Sequence, residues 1–149
     1  MGFFHEVWMH PDDQELALSV TERDRKQYVQ VMMDMANHLY QVEPDQVIPF
    51  TIRPLIHDLF ENTIIHLGHC DISVIETPGH TAGGLSFIDT KERLLFSGDA
   101  CYHTILFGYG RTTPNNKNTV SAVLQTAEKL LELKDAYDRH YYGHVAEGS

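Results

Sequence analysis

Thr77-Pro78-Gly79-His80-Thr81-Ala82-Gly83-Gly84-Leu85 decides how this chain of 149 residues is read. The run places one imidazole just past a strand-like segment, Asp71 to Glu76, and surrounds it with glycines that let the backbone turn. Ser97-Gly98-Asp99 follows a further hairpin-like stretch, and Gly143-His144 follows a last one. Three separate stretches therefore each set one good metal ligand, His80, Asp99 or His144, beside glycine where a strand ends. No second histidine cluster of comparable spacing accompanies them.

Working outward, Thr63-Ile64-Ile65-His66-Leu67 and Asp71-Ile72-Ser73-Val74-Ile75-Glu76 read as two strands joined by a turn at Gly68. Leu85 to Asp89 and Arg93 to Phe96 read as a second hairpin around Thr90-Lys91-Glu92. A loop rich in Gly, Pro and Asn, residues 108–118, leads to a helix with Val120, Val123, Leu124, Ala127, Leu130 and Leu131 on one face, and Arg139 to Tyr142 is a last short strand. Toward the other end, Phe3 to Met9 reads as a strand, His10-Pro11-Asp12-Asp13 as a turn, and Gln14 to Ser19 as a short helix. Thr21 is suited to cap a second helix whose first turn carries Glu22 and Asp24, with Pro44 marking its end. Along that helix Tyr28, Met32, Met35 and Leu39 form one apolar stripe, expected to be core. Residues 49–60 give a mixed pattern broken by Pro49 and Pro54.

Thr-Pro-Gly-His-Thr, Ser-Gly-Asp and Gly-His, in this order and at this spacing, resemble three motifs of the metallo-β-lactamase superfamily. The resemblance runs from about Val7 to His144. It implies an α/β fold, part of an αββα sandwich with a mainly antiparallel or mixed sheet flanked by helices, and a single partial domain over residues 1–149. It also implies a site for two metal ions, zinc by family expectation with iron or manganese as alternatives. His80 would complete the first ion's shell, His144 would serve the second, and Asp99 would bridge them and orient the attacking water, as the catalytic carboxylate. The reaction implied is hydrolysis of an ester, thioester or lactone carbonyl in a small-molecule substrate. The family's His-X-His-X-Asp-His motif is not found here, and Met1 falls only a few residues beyond its expected place. Met1 is therefore either the true start or an internal methionine, and three ligands shared between two ions lead us to expect weak or partial occupancy.

The formal net charge of −10, from 21 acidic and 11 basic side chains, opposes nucleic acid or an anionic membrane as partner. Cys70 and Cys101 are too few for a disulfide framework, the N-terminus lacks a basic secretion signal, and no apolar run is long enough to span a bilayer. A soluble cytoplasmic protein is expected. The competing functional reading is a catalytically inert half-fold that covers its exposed sheet face by homo-oligomerisation or by binding a partner.

Several other residues have ligand chemistry without a matching pattern. His66, His69, Cys70 and Asp71 surround a hairpin turn and read as exposed turn residues rather than a structural zinc site. Cys101 and His103 read as core-wall groups near Asp99, and His10, His38 and His57 as surface or helix-end residues. Arg111, in Phe107-Gly108-Tyr109-Gly110-Arg111, is suited to hold an anionic group of a substrate, or else to pair with one of the many acids.

Overall fold

The computed structural model describes residues 4–35, 46, 53–101 and 120–143. Its centre is a five-stranded sheet in the order β3-β4-β5-β6-β7, comprising Ile64–His66, Asp71–Glu76, Leu85–Asp89, Leu94–Gly98 and Arg139–Tyr142. The first three pairings are antiparallel, and the β6–β7 pairing is parallel. A parallel neighbour needs a crossover, and the helix α3, Val120–Glu132, lies between β6 and β7 in the chain. A second sheet of two parallel strands pairs β1, Glu6–Met9, with β2, Leu55–Asp58.

Alternation along the strands builds the core. Ile75, Ile88 and Leu95 share one sheet face and cluster with Leu130 of α3, while Cys101, Leu133, Ala136 and Tyr137 pack at the margin. Burying each such aliphatic side chain contributes about 1.5–3 kcal/mol. On the opposite face the cross-strand neighbours Phe96 and Tyr141 stack at 5.3 Å, yet remain 39% and 48% exposed. Among the described residues, no helix is long and apolar enough to cross a membrane.

Three elements differ from expectation, and a fourth does so in part. The helix α1, Pro11–Ser19, begins three residues early because His10 caps it, its Nδ1 accepting from the Asp12 amide at 3.2 Å, and proline is well suited to the first helical position. The strand β2 follows Pro54 directly, since a proline that forbids a helix interior is compatible with the start of an edge strand. The helix α3 buries Val123, Thr126 and Leu130, but Val120, Leu124 and Leu131 are exposed, so its buried stripe is narrower than its apolar one. The helix α2, Glu22–Met35, starts as expected: the Thr21 hydroxyl accepts from the Asp24 amide, and the Asp24 carboxylate accepts in return from the Thr21 amide. Its stripe, however, is not core: Tyr28 is 64% and Met32 46% exposed. Periodicity marks which side of a helix is apolar, and nothing in it supplies a surface to cover that side. The side chain of Met35 and the whole of Leu39 lie outside the described residues.

Candidate functional site

The strand β4 delivers the chain to Thr77, which is fully buried. The Thr77 amide donates to the Gly84 carbonyl at 2.8 Å, and the Thr77 and Ser86 hydroxyls bond at 2.8 Å, so the loop between them is closed at its base. Two outside elements hold its crown. From α3, the Thr126 hydroxyl donates to the Pro78 carbonyl at 2.7 Å. From α1, the Asp13 carboxylate accepts from the Thr81 hydroxyl at 2.5 Å and from the Gly83 amide at 2.8 Å. That approach requires glycine: a Cβ on Gly83 would lie 2.8 Å from the His10 Cβ and 3.0 Å from the Asp13 Cγ. His80 sits between these two anchors.

Asp99 follows an irregularity of β6, where the register against β7 shifts between Phe96 and Gly98. Such bulges re-aim the side chains that follow them. Ser97, the extra residue, is fully buried; its hydroxyl lies 2.7 Å from the Cys101 carbonyl and 2.6 Å from His140 Nε2. A carbonyl only accepts, so both contacts are satisfied together when His140 Nε2–H donates to Ser97 Oγ and Ser97 donates onward. Burial pushes the His140 imidazole below its ordinary pKa and raises the Cys101 thiol. Beyond β7 the Gly143 amide donates to the Gly98 carbonyl at 2.8 Å, and a side chain on Gly143 would collide with the Asp99 carboxylate.

These loops bring His80 Nε2 to 3.6 Å from Asp99 Oδ2, both side chains about one-third exposed. They open on a cleft of about 280 Å³ lined by Trp8, Met9, His10, Asp13, Leu85 and Phe87 among others, with no lysine or arginine in its described lining. The lining carries the carboxylates of Asp13 and Asp99, and carboxylate oxygen beside imidazole nitrogen is a donor set that suits a bound cation. The separation also suits one, because two ligands each about 2.1 Å from a tetrahedral ion stand about 3.4 Å apart. Still, no three His, Cys, Asp or Glu side chains gather as a fuller metal shell among the described residues. His144 and Arg111 lie outside the described residues, as do His38 and His103.

His10 lines the same cleft, and its side chain is only 14% exposed. Neither ring nitrogen is available to a metal: Nδ1 accepts from the helix, and Nε2 lies 3.3 Å from Glu76 Oε1. His10 is thus a helix-end residue, as its sequence context indicates, but a partly buried one that forms part of the cleft wall. Glu76 in turn accepts from the Glu61 amide, while Lys129 bridges Glu61 Oε1 and the Glu76 carbonyl. Elsewhere, His66 pairs with Asp71 across the β3–β4 hairpin at 2.7 Å, and His57 lies 3.4 Å from Glu6 and stacks on Trp8. The sequence pointed to His80 and Asp99 but did not single out Asp13, Ser97 or His140. The acidic first turn after a capping residue was the one local signal for Asp13.

A mixed sheet, an end-of-strand His–Asp pair and a cleft between two sheets define a class, and comparison with known proteins assigns the family. The chain belongs to the metallo-beta-lactamase superfamily, whose sequence profile matches residues 5–144. It is 32% identical over 77 residues to the acyl-coenzyme A thioesterase MBLAC2 of Homo sapiens, a match covering 52% of this chain and 26% of that protein. Its fold is similar to that of the metallo-beta-lactamase family protein TTHA1429 from Thermus thermophilus, with TM-score 0.58 and 21% identity, covering 95% of this chain and 47% of the other. It is also similar to TTHA1623, solved in a di-iron-bound form, with TM-score 0.55 and 20% identity over 95% and 58% of the two chains. This chain therefore spans about a quarter of the thioesterase and about half of each structural relative.

Proposed function

We propose that this chain carries part of the site of a metal-dependent hydrolase acting on an ester, thioester or lactone carbonyl, with a thioester favoured by the name of the thioesterase relative. The observation that carries this reading is the His80–Asp99 pair, whose 3.6 Å separation at the cleft fits two ligands of one ion. His80 and Asp99 would hold the metal, with His144, which follows Gly143 in sequence, as the third donor that the motif reading supplies. Zinc suits an imidazole and carboxylate set, with iron or manganese as alternatives. When bound, the metal supplies an acidified water and a Lewis acid for the carbonyl. The chain's own part is to hold His80 and Asp99 at fixed separation, to present the Asp99 carboxylate as proton acceptor for an attacking water, and to offer Leu85 and Phe87 as apolar wall to the substrate. Arg111 would receive an anionic group of that substrate. The acidic composition and two cysteines outside any disulfide support a cytoplasmic location.

Zinc titration of the 149-residue chain, followed by hydrolysis of a short acyl thioester in zinc excess, tests the reading. We expect fewer than two ions per chain, and loss of that binding in His80→Ala and Asp99→Ala. Equal zinc content in wild type and both variants would overturn it.

A second reading rests on the exposed Phe96–Tyr141 stack, namely that the chain is an inert module whose sheet face is covered by a second copy. Sedimentation velocity decides: a dimer dissociated by Phe96→Ser supports this reading, and a monomer at every concentration refutes it.

A further inference from the structure

Asp13 is not a ligand candidate, yet it touches the His80 loop at two points. Its carboxylate oxygens take different donors, the Thr81 hydroxyl and the Gly83 amide, 68 and 70 residues away in sequence. A single bond would leave the loop free to swivel, whereas two bonds to one rigid carboxylate also fix its orientation. Helix formation does not require this arrangement. His10 already caps α1, and Asp12 shares its first turn and can answer the helix dipole. The third anchor, Thr126 on the Pro78 carbonyl, holds the other flank, so His80 is suspended between α3 and α1.

We infer that Asp13 is a positioning residue, which sets the direction of the His80 imidazole toward Asp99 by clamping Thr81 and Gly83. The metal part of this inference rests on the proposed function, and the loop part does not. Outer contacts of this kind change metal affinity about 10- to 100-fold when removed.

The test compares Asp13→Ala, which removes both bonds, with Asp13→Asn, whose carbonyl oxygen can still accept from Gly83 and whose amide can donate to Thr81 Oγ. Hydrogen exchange at the Gly83 amide and the imidazole resonances of His80 are followed without metal, and zinc affinity is then measured by chelator competition. Asp13→Ala is expected to lose Gly83 protection, alter the His80 resonances and weaken zinc binding at least about tenfold. Asp13→Asn should remain near wild type, and amide protection within α1 should be unchanged in both. If Asn is as damaging as Ala, charge rather than positioning is responsible and the inference falls. It also falls if Gly83 and His80 in Asp13→Ala match wild type. Should Asp13→Ala unfold, Thr81→Val removes one arm without altering α1, and an unchanged His80 signal there is equally fatal. A wild-type chain that binds no zinc refutes the metal reading, and the metal-free exchange and imidazole data then decide the clamp alone.

Discussion

Replacing Gly143 by alanine should separate metal affinity from stability. A Cβ at this position meets three atoms: the Asp99 Oδ1, well inside contact distance, then the Asp99 Cγ and the Gly98 carbonyl carbon, each at 3.3 Å. The latter two yield by a few tenths of an ångström. The carboxylate oxygen must retreat by about 1 Å to regain ordinary contact. The oxygen displaced is Oδ1, and because the carboxylate is rigid its turning also moves the Oδ2 that faces His80. Ligand distances tolerate only about ±0.2 Å, so the rotation takes Asp99 out of reach of an ion the two residues would share. We therefore expect zinc affinity to fall about 10- to 100-fold. The fold should barely register the change, because the displaced atom ends a rotatable side chain. An off-rotamer side chain costs about 0.5–1.5 kcal/mol, and replacing a glycine whose backbone alanine can adopt returns about 0.4–1 kcal/mol through the unfolded state. The net change in stability is about 1 kcal/mol at most. Chelator competition gives the affinity, and urea unfolding in the presence of a chelator gives the stability. Zinc affinity within about twofold of wild type would refute the argument, since displacing a ligand costs more than that.

Two further outcomes follow from the packing. Leu95 is completely buried among Ile75, Ile88 and Leu130, so Leu95→Ala should cost about 2–5 kcal/mol in chemical unfolding, and a loss below about 1 kcal/mol would contradict its place in the core. His140, with Ser97 at one nitrogen and the rings of Tyr137 and Tyr142 nearby, resists protonation in the folded chain because it is partly buried. Its folded pKa is depressed, so its contribution is complete above the unfolded value of about 6.5 and is lost as pH falls toward the folded value, at no more than about 1.4 kcal/mol per pH unit. His140→Gln retains an Nε2 donor for Ser97 but no titration, and its stability should decline less on acidification; parallel curves for the two proteins would show that His140 does not contribute.

What the sequence disclosed was local. The alternation in Asp71–Glu76 and Leu85–Asp89 was legible because one face of each strand is buried against α3, and the intervening turn residues fixed where the pairs reverse. His80 and Asp99 stood out because each follows a strand and adjoins glycine, and the structure brings them within 3.6 Å. The stripe of Tyr28 and Met32 was misleading for a physical reason. A helix face is apolar in sequence whether or not a neighbour covers it, and here none of the described elements does so fully. Asp13 was illegible because its partners are chosen by tertiary approach alone, and His140 because a single histidine in a short strand has no pattern that reveals a buried serine opposite it.

The division between local and tertiary signals bears on why metal binding should be weak. A site is weak either because its ligands are loosely placed or because they are few. Here the His80 loop is closed at its base by Thr77 and Ser86 and held at its crown by Thr126 and Asp13, while Asp99 follows a bulge whose extra residue is tied to Cys101 and His140. Ordering these loops is accomplished by folding, so binding need not supply it. We therefore expect any shortfall to lie in the number of donors, since the described residues bring together two, His80 and Asp99. Adding an external imidazole or carboxylate should therefore strengthen zinc binding to this chain, whereas further rigidifying its loops should not. A site limited by loop disorder would respond in the opposite way.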